Sequence, residues 1–233
     1  MGGPYRPPNV ALHVSHPLYV KRFVKPFRLI IGLLAVSAFA ADPALDELLK
    51  NVENRYNHAK TLQVLFKEQY TPPGKATLSE SGLLMLRKPL RMRWDYSQPK
   101  GKQVLSDGTN LWVYNPATNR AEKMSLKQTE DMRAPLAFLL GKLNFQKEFR
   151  NLQGKKEGLY DTRITAESNS ENLPYSAVEF VVTHDSHIKE VKITYYDKAV
   201  LNLTFDQERI DPPLDPKLFQ FQLPPGAQMD GGQ

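Results

Sequence analysis

The stretch "RKPLRMRWDYSQP", Arg87–Pro99, sets the reading of this chain. Every second residue from Met92 is large and apolar: Met92, Trp94 and Tyr96. The alternate residues are Arg91, Arg93 and Asp95. Strict alternation is the period of a β-strand with one face buried and the other wet. So bulky a face serves either as an ordinary sheet core or as the wall of an apolar cavity.

The same alternation runs outward in both directions. Leu62, Val64 and Phe66 alternate with polar neighbours, as do Leu84 and Leu86. "SDGTN" (Ser106–Asn110) and "YNPATN" (Tyr114–Asn119) are turns by composition, with the strand "LWVY" between them. Further strands are expected at "FRNLQ", "LYDTRITAES", "YSAVEFVVTHDSHIKEVKITYY" and "AVLNLTFDQERI", with turns at the regular spacing of a meander. "LDPKLFQFQLPPG" reads as a short turn or helix at Asp215 and a final strand.

Two stretches break the pattern. In "DPALDELLKNVENRY", Asp42 suits an N-cap, Pro43 suits the first helical position, and Leu45, Leu48, Leu49, Val52 and Tyr56 fall on one helical face. "TEDMRAPLAFLLGKL" has a capping Thr129 and an apolar block from Leu136 to Leu140, and Pro135 limits it to short helical pieces. The expected fold is mainly β (α+β): a large antiparallel sheet that curls into a closed or incomplete barrel, with helices over one mouth.

Composition narrows the function. The 233 residues contain no cysteine, which excludes disulfides, thiolate metal sites, a cysteine nucleophile and an acyl anchor on the protein itself. The net charge of +6 is misleading. Residues 1–40 hold Arg6, Lys21, Arg22, Lys25 and Arg28 and no acid; setting those five aside leaves 26 basic against 25 acidic residues. A nucleic-acid binder carries its basic excess on the folded domain, so no nucleic-acid partner is expected. "KRFVKPFRLIIGLLAVSAFAADP" reads as a signal peptide: a basic flank, an apolar run from Leu29 to Ala40, and Ala38-Phe39-Ala40 before a cleavage point at Ala41. An uncleaved anchor is the other reading, although about a dozen apolar residues fall short of the roughly 20 that span a bilayer. Residues 1–20, with four prolines, are odd for a signal peptide and fit a misplaced start codon. One domain over 41–233, exported from the cytoplasm, is the simplest organisation.

Chemistry-bearing motifs are sparse. His184 and His187 in "HDSH" have an H-x-x-H spacing but fall between two β runs, where they read as a hairpin turn. His58 sits near a helix end, where a cation suits the dipole. There is no G-x-S-x-G, H-E-x-x-H or Gly-rich phosphate loop. Scattered carboxylates leave a glycosidase pair open without suggesting one. No cofactor, metal site or enzymatic activity is expected. An apolar cavity under a helical lid would instead hold an acyl chain, each buried methylene contributing roughly 0.8 kcal/mol.

At this point the residues resemble a known family. "GLLMLRKPLRMRWDYSQPKGKQVLSDGTNLWVYNP", "APLAFLLGK" and the ending "FQFQLPPGAQM" resemble the LolA family of periplasmic lipoprotein carriers. The resemblance covers essentially all of 41–230. It implies an incomplete β-barrel with a helical lid over an apolar cavity. It further implies a monomer that takes triacylated lipoproteins from an inner-membrane ABC transporter of the LolCDE type and passes them to an outer-membrane acceptor of the LolB type. Carried over position by position, the cavity residues are Leu84, Leu86, Met92, Trp94 and Tyr96, with Phe66 on the same face and Val52 and Tyr56 from the first helix. The lid residues are Leu136, Phe138 and Leu139. The family's latch is an Arg before the Pro, bonded to lid carbonyls; here that position is Lys88, which lacks the planar five-donor fork of Arg. Arg87, Arg91 and Arg93 form an outward basic row, either a docking face for an acidic partner or a plain solvated face. A lipid- or lipoprotein-sensing module, a carrier of another lipid, and an enzyme with a hydrophobic pocket are the rival readings.

Overall fold

Asp42 starts the first helix as its side chain allows: Oδ1 accepts from Ala44 N at 3.0 Å and Leu45 N at 3.4 Å. The computed structural model describes residues 42–126, 143–170 and 173–230. The signal segment and the lid residues Leu136, Phe138 and Leu139 lie outside the described residues. Helix α1 (Pro43–His58) buries Leu45, Leu49, Val52 and Tyr56, the stripe expected from 3.6-residue spacing.

From there to the middle of the chain the strands follow one another as hairpins: β1 (Thr61–Thr71), β2 (Leu78–Arg87), β3 (Arg91–Gln98), β4 (Gln103–Asp107), β5 (Asn110–Asn115) and β6 (Arg120–Ser125). The β4–β5 turn is set by Gly108 at φ +99°, with Asp107 Oδ1 accepting from Thr109 N and Asn110 N at 2.7 Å each. A one-turn helix α2 (Phe145–Glu148) opens the second meander: β7 (Phe149–Glu157), β8 (Asp161–Ser168), β9 (Tyr175–Val182), β10 (Ile188–Tyr195) and β11 (Val200–Ile210). "HDSH" is the β9–β10 turn. Adding β12 (Gln228–Met229), the strands make one twelve-stranded sheet in the order β12-β6-β5-β4-β3-β2-β1-β11-β10-β9-β8-β7. The two meanders join at the long antiparallel pair β1–β11, from Leu62↔Ile210 to Thr71↔Val200. Among the described residues no pairing joins the β12 and β7 ends, so the sheet is an incomplete barrel.

The two faces differ. Side chains of one face, from Leu111 on β5 round to Ile164 on β8, form a single apolar cluster with α1. On the other face Met85, Leu214 and Phe219 make a small second core. It is built by the chain after β11. There the expected final strand is absent: a 3₁₀ turn (Pro216–Phe219) is followed by extended chain without ladder bonds. Pro212, Pro213, Pro216, Pro224 and Pro225 have no N–H to donate. The segment is tied instead through its carbonyls, by Arg87 Nη1 to Leu214 O at 3.0 Å and Arg93 Nη1 to Leu218 O at 2.9 Å, and by Phe221 stacked on Trp112 at 5.7 Å.

Gly82 on β2 is required by packing. It pairs with Phe66 of β1 and Tyr96 of β3. A Cβ there would lie 2.1 Å from the backbone oxygen of Asp95. The missing side chain also lets Phe66 and Tyr96 meet across it, ring centroids 5.1 Å apart. Gly82→Val is therefore expected to lower unfolding free energy by about 3 kcal/mol or more, read as a shift of the urea midpoint; an unshifted midpoint would contradict this packing.

Candidate functional site

The inner face of β1, β2 and β3 follows from parity and register. Leu86 pairs with Met92, Leu84 with Trp94 and Gly82 with Tyr96, so these side chains project to the same side. Phe66 lies edge-on to both aromatic rings, 4.6 Å from Trp94 at 74° and 5.1 Å from Tyr96 at 83°. Trp94 and Tyr96 stack at 6.4 Å. Such edge-to-face and offset pairs contribute about 0.5–1.5 kcal/mol each beyond area burial. Leu84, Leu86, Met92, Trp94, Tyr96, Phe66, Val52 and Tyr56, separated by up to 44 positions in the chain, all belong to one buried cluster. Trp94 is 5% and Tyr96 9% exposed, so the floor is covered in this state.

Helix α1 is clamped across the seam of the two meanders. The Tyr56 hydroxyl donates to Glu208 Oε2 at 2.6 Å and accepts from Ile188 N at 2.9 Å. Arg55 donates to Glu208 Oε1 through Nε at 2.9 Å and Nη2 at 2.7 Å. Burial, then the Glu208 charge, pushes the Tyr56 phenol far above its ordinary value. The same helix holds the entry to α2. Asn57 Nδ2 donates to Leu143 O at 2.8 Å and Asn57 Oδ1 accepts from Leu143 N at 2.6 Å, while Glu53 Oε1 accepts from Phe145 N at 2.7 Å. None of Glu208, Asn57 and Glu53 was legible as a site residue, because long-range partners leave no periodic signature.

Lys88 is not a free cation. Its Nζ donates to Tyr56 O at 2.5 Å and Asn57 O at 3.0 Å, the last carbonyls of α1, where a positive charge also suits the dipole. Burial lowers its pKa, against the opposing pull of Asp211. The partner seen among the described residues is thus the first helix, and the expected lid carbonyls lie outside them. The outward basic row needs correction. Arg87 and Arg93 point outward, but their guanidinium groups hold the C-terminal segment, and Arg91 Nε donates to Asp107 O at 3.3 Å. The three arginines therefore do not make a free docking face.

At the end of the inner face away from the α1 C-terminus lies a polar group that sequence reading missed. Glu68 and Glu80 pair directly across β1 and β2. Lys102 pairs with Glu80, and its Nζ sits 4.3 Å above the Tyr96 ring. Burial, then the neighbouring Glu80, raises the Glu68 pKa. Among the described residues no cluster of three or more His, Asp or Glu is placed to hold a metal ion, and no helix is long and apolar enough to cross a membrane.

An apolar, aromatic-floored inner face in an incomplete β-barrel with a helix laid across it defines a class of hydrophobic-ligand folds. Residues 57–222 match the family described as outer membrane lipoprotein carrier protein LolA, and the chain belongs to that family. An outer-membrane lipoprotein carrier protein of Chromobacterium violaceum is 24% identical over 213 residues, covering 90% of this chain and all of that protein. One from Proteus mirabilis is 23% identical over 204 residues, covering 87% and 98%. Among solved structures, an uncharacterized conserved protein from Thermus thermophilus shares the fold, with TM-score 0.50 at 12% identity over 80% of this chain and 98% of its own.

Two measurements check the site. Tyr56→Phe leaves the Ile188 N–H without its acceptor and is expected to lower unfolding free energy by about 2 kcal/mol; an unchanged urea midpoint would remove the clamp from the account. The second concerns pH. Burial, the largest cause in both, pushes Tyr175 and Tyr195 up from 10.0 to about 12. Above pH ~10 the unfolded chain loses phenolic protons that the folded chain keeps, so stability falls as pH rises through this window. Unfolding free energy is expected to drop between pH 10.0 and about 12, with a shallower drop in Tyr175→Phe/Tyr195→Phe; an identical slope in the double variant would contradict this.

Proposed function

We propose that this protein is a non-enzymatic periplasmic carrier that binds the acyl chains of lipoproteins released from the inner membrane and delivers them to the outer membrane. The observation that carries the reading is the aromatic floor of Phe66, Trp94 and Tyr96, continued by Leu84, Leu86 and Met92, in a member of the LolA family. Lipoprotein-carrier names on relatives that align over nearly their whole length support it. Residues 1–40 act as the export signal, and 41–233 as the carrier domain.

The mechanism needs no bond to form or break. The floor side chains are buried, so cargo enters through an opening motion that exchanges protein–protein contacts for protein–acyl contacts. At roughly 0.8 kcal/mol per methylene, a chain of ordinary lipid length supplies ample free energy for that exchange. Supply comes from a LolCDE-type ABC transporter and release goes to a LolB-type acceptor. The second step proceeds without nucleotide because transfer requires only that the acceptor bind the chains more tightly.

The test is native mass spectrometry of the exported protein mixed with a synthetic triacyl lipopeptide. One lipopeptide per protein is expected, with binding lost in Trp94→Glu while circular dichroism shows the β-sheet retained. A wild-type protein that binds bare phospholipid but not the lipopeptide would favour a carrier of another lipid. A protein that binds neither would return Trp94 and Tyr96 to the role of plain core.

A further inference from the structure

Four tyrosines stand at one end of the inner face, the end away from the α1 C-terminus. Tyr70 lies near the end of β1 and Tyr96 near the end of β3; Tyr195 closes β10, and Tyr175, which opens β9, pairs with it directly. All four rings pack into the apolar cluster of the inner face. A buried phenol ordinarily finds a hydrogen-bond partner, as Tyr56 does twice at the other end. These four do not. Tyr175 is 5% and Tyr96 9% exposed, and among the described residues neither of their hydroxyls, nor that of Tyr70 or Tyr195, makes a hydrogen bond.

A carboxyl at the same end shares this condition. Glu68 stands opposite Leu203 of β11 and Glu80 of β2. Glu80 has its cation in Lys102, whereas Glu68 has neither a hydrogen bond nor an ion pair among the described residues. The groups form one neighbourhood: the charges of Tyr195 and Tyr96 are both sensitive to Glu68, and that of Tyr195 also to Tyr70 and Tyr175. Burial, the largest cause in each, raises the pKa of Tyr96, Tyr175 and Tyr195, so these phenols stay O–H donors.

An unsatisfied buried donor costs free energy that a core built for stability alone avoids with phenylalanine. Along β1 the inner face runs Val64, Phe66, Glu68, Tyr70, apolar first and then polar. That is the profile of an amphiphile lying along the strand, its chains on the aromatic floor and its first polar atoms beside the tyrosines. The first polar atoms above an esterified chain are carbonyl oxygens, which accept and do not donate, and phenol donors match them. We infer that this tyrosine-lined end is the subsite for the acyl linkage, where the hydroxyls donate to the ester carbonyls of the chains held on the floor. The inference rests on the carrier reading and names the chemistry by which the site tells an acyl ester from a bare hydrocarbon chain.

The experiment is titration of the exported protein, read by native mass spectrometry, with a triacyl lipopeptide and with its analogue whose glyceryl esters are replaced by ethers of equal chain length. The wild type is expected to hold the ester form at least about tenfold more tightly, because the ether leaves the donors unpaired. Tyr175→Phe/Tyr195→Phe should bring the two ligands within about threefold of each other, and its capture of the ether analogue shows that it folds. If that variant does not fold, the single substitutions, read in the same way, decide the case. Equal affinity of the wild type for the two ligands overturns the subsite and leaves the carrier reading standing. So does an ester preference that persists in Tyr175→Phe/Tyr195→Phe and in Tyr70→Phe/Tyr96→Phe. Wild-type protein that captures neither ligand removes the carrier reading and the subsite with it.

Discussion

The pairing of β1 with β11 is the constraint on which the rest depends. Each meander consists of neighbours in sequence and forms locally, but the pairs Leu62↔Ile210 to Thr71↔Val200 bring together residues nearly 150 apart or more than 120 apart. Without that seam there are two separate sheets and no common inner face. Closing it demands a long loop, the entropic penalty of which grows only slowly with length. Helix α1 then lies across the seam and is fastened to it from both sides. Tyr56 and Arg55 reach Glu208 on β11, and Lys88, following β2, reaches back to the helix carbonyls. Glu208 is a nearly buried carboxylate, its side chain 8% exposed, and it is tolerated because a guanidinium and a phenol complete its hydrogen bonds.

The seam also fixes what the inner face offers. Phe66 on β1 stands opposite Phe205 of β11 on one side and Gly82 of β2 on the other. The glycine leaves a gap into which the aromatic rings of three positions converge. The result is a wide apolar surface of large, shallow side chains, ending in the Glu68–Glu80–Lys102 group. A core that served stability alone would gain from closing the barrel, whereas among the described residues no pairing joins β12 to β7. An open barrel can exchange its own packing for a guest's.

Much of this was legible in the sequence because period two is strict where one face is buried. Alternation alone puts Met92, Trp94 and Tyr96 on one side with Leu84 and Leu86, and the register pairs Leu84 with Trp94 and Leu86 with Met92. The same rule misled at the C-terminus. Phe219, Phe221 and Leu223 do alternate, and Phe219 is buried, but the segment packs on the outer face as a strap, held by Arg87 and Arg93 through its carbonyls and by Phe221 on Trp112, instead of pairing with a strand. The outward parity of Arg87 and Arg93 is readable from alternation, but their partners are not, because the strap that they hold lies more than 120 residues away. Glu208 and Asn57 were invisible for the same reason: a polar side chain whose partner is distant in sequence looks like any solvated one.

The protein has two tryptophans, Trp94 on the inner face and Trp112 stacked on Phe221 outside. Fluorescence quenching by a lipopeptide with brominated acyl chains therefore separates the two faces when each tryptophan is left alone, in Trp112→Phe and in Trp94→Phe. Strong quenching of Trp94 and none of Trp112 is expected. Quenching of Trp112 with Trp94 untouched would place the acyl chains on the outer face and contradict the central claim.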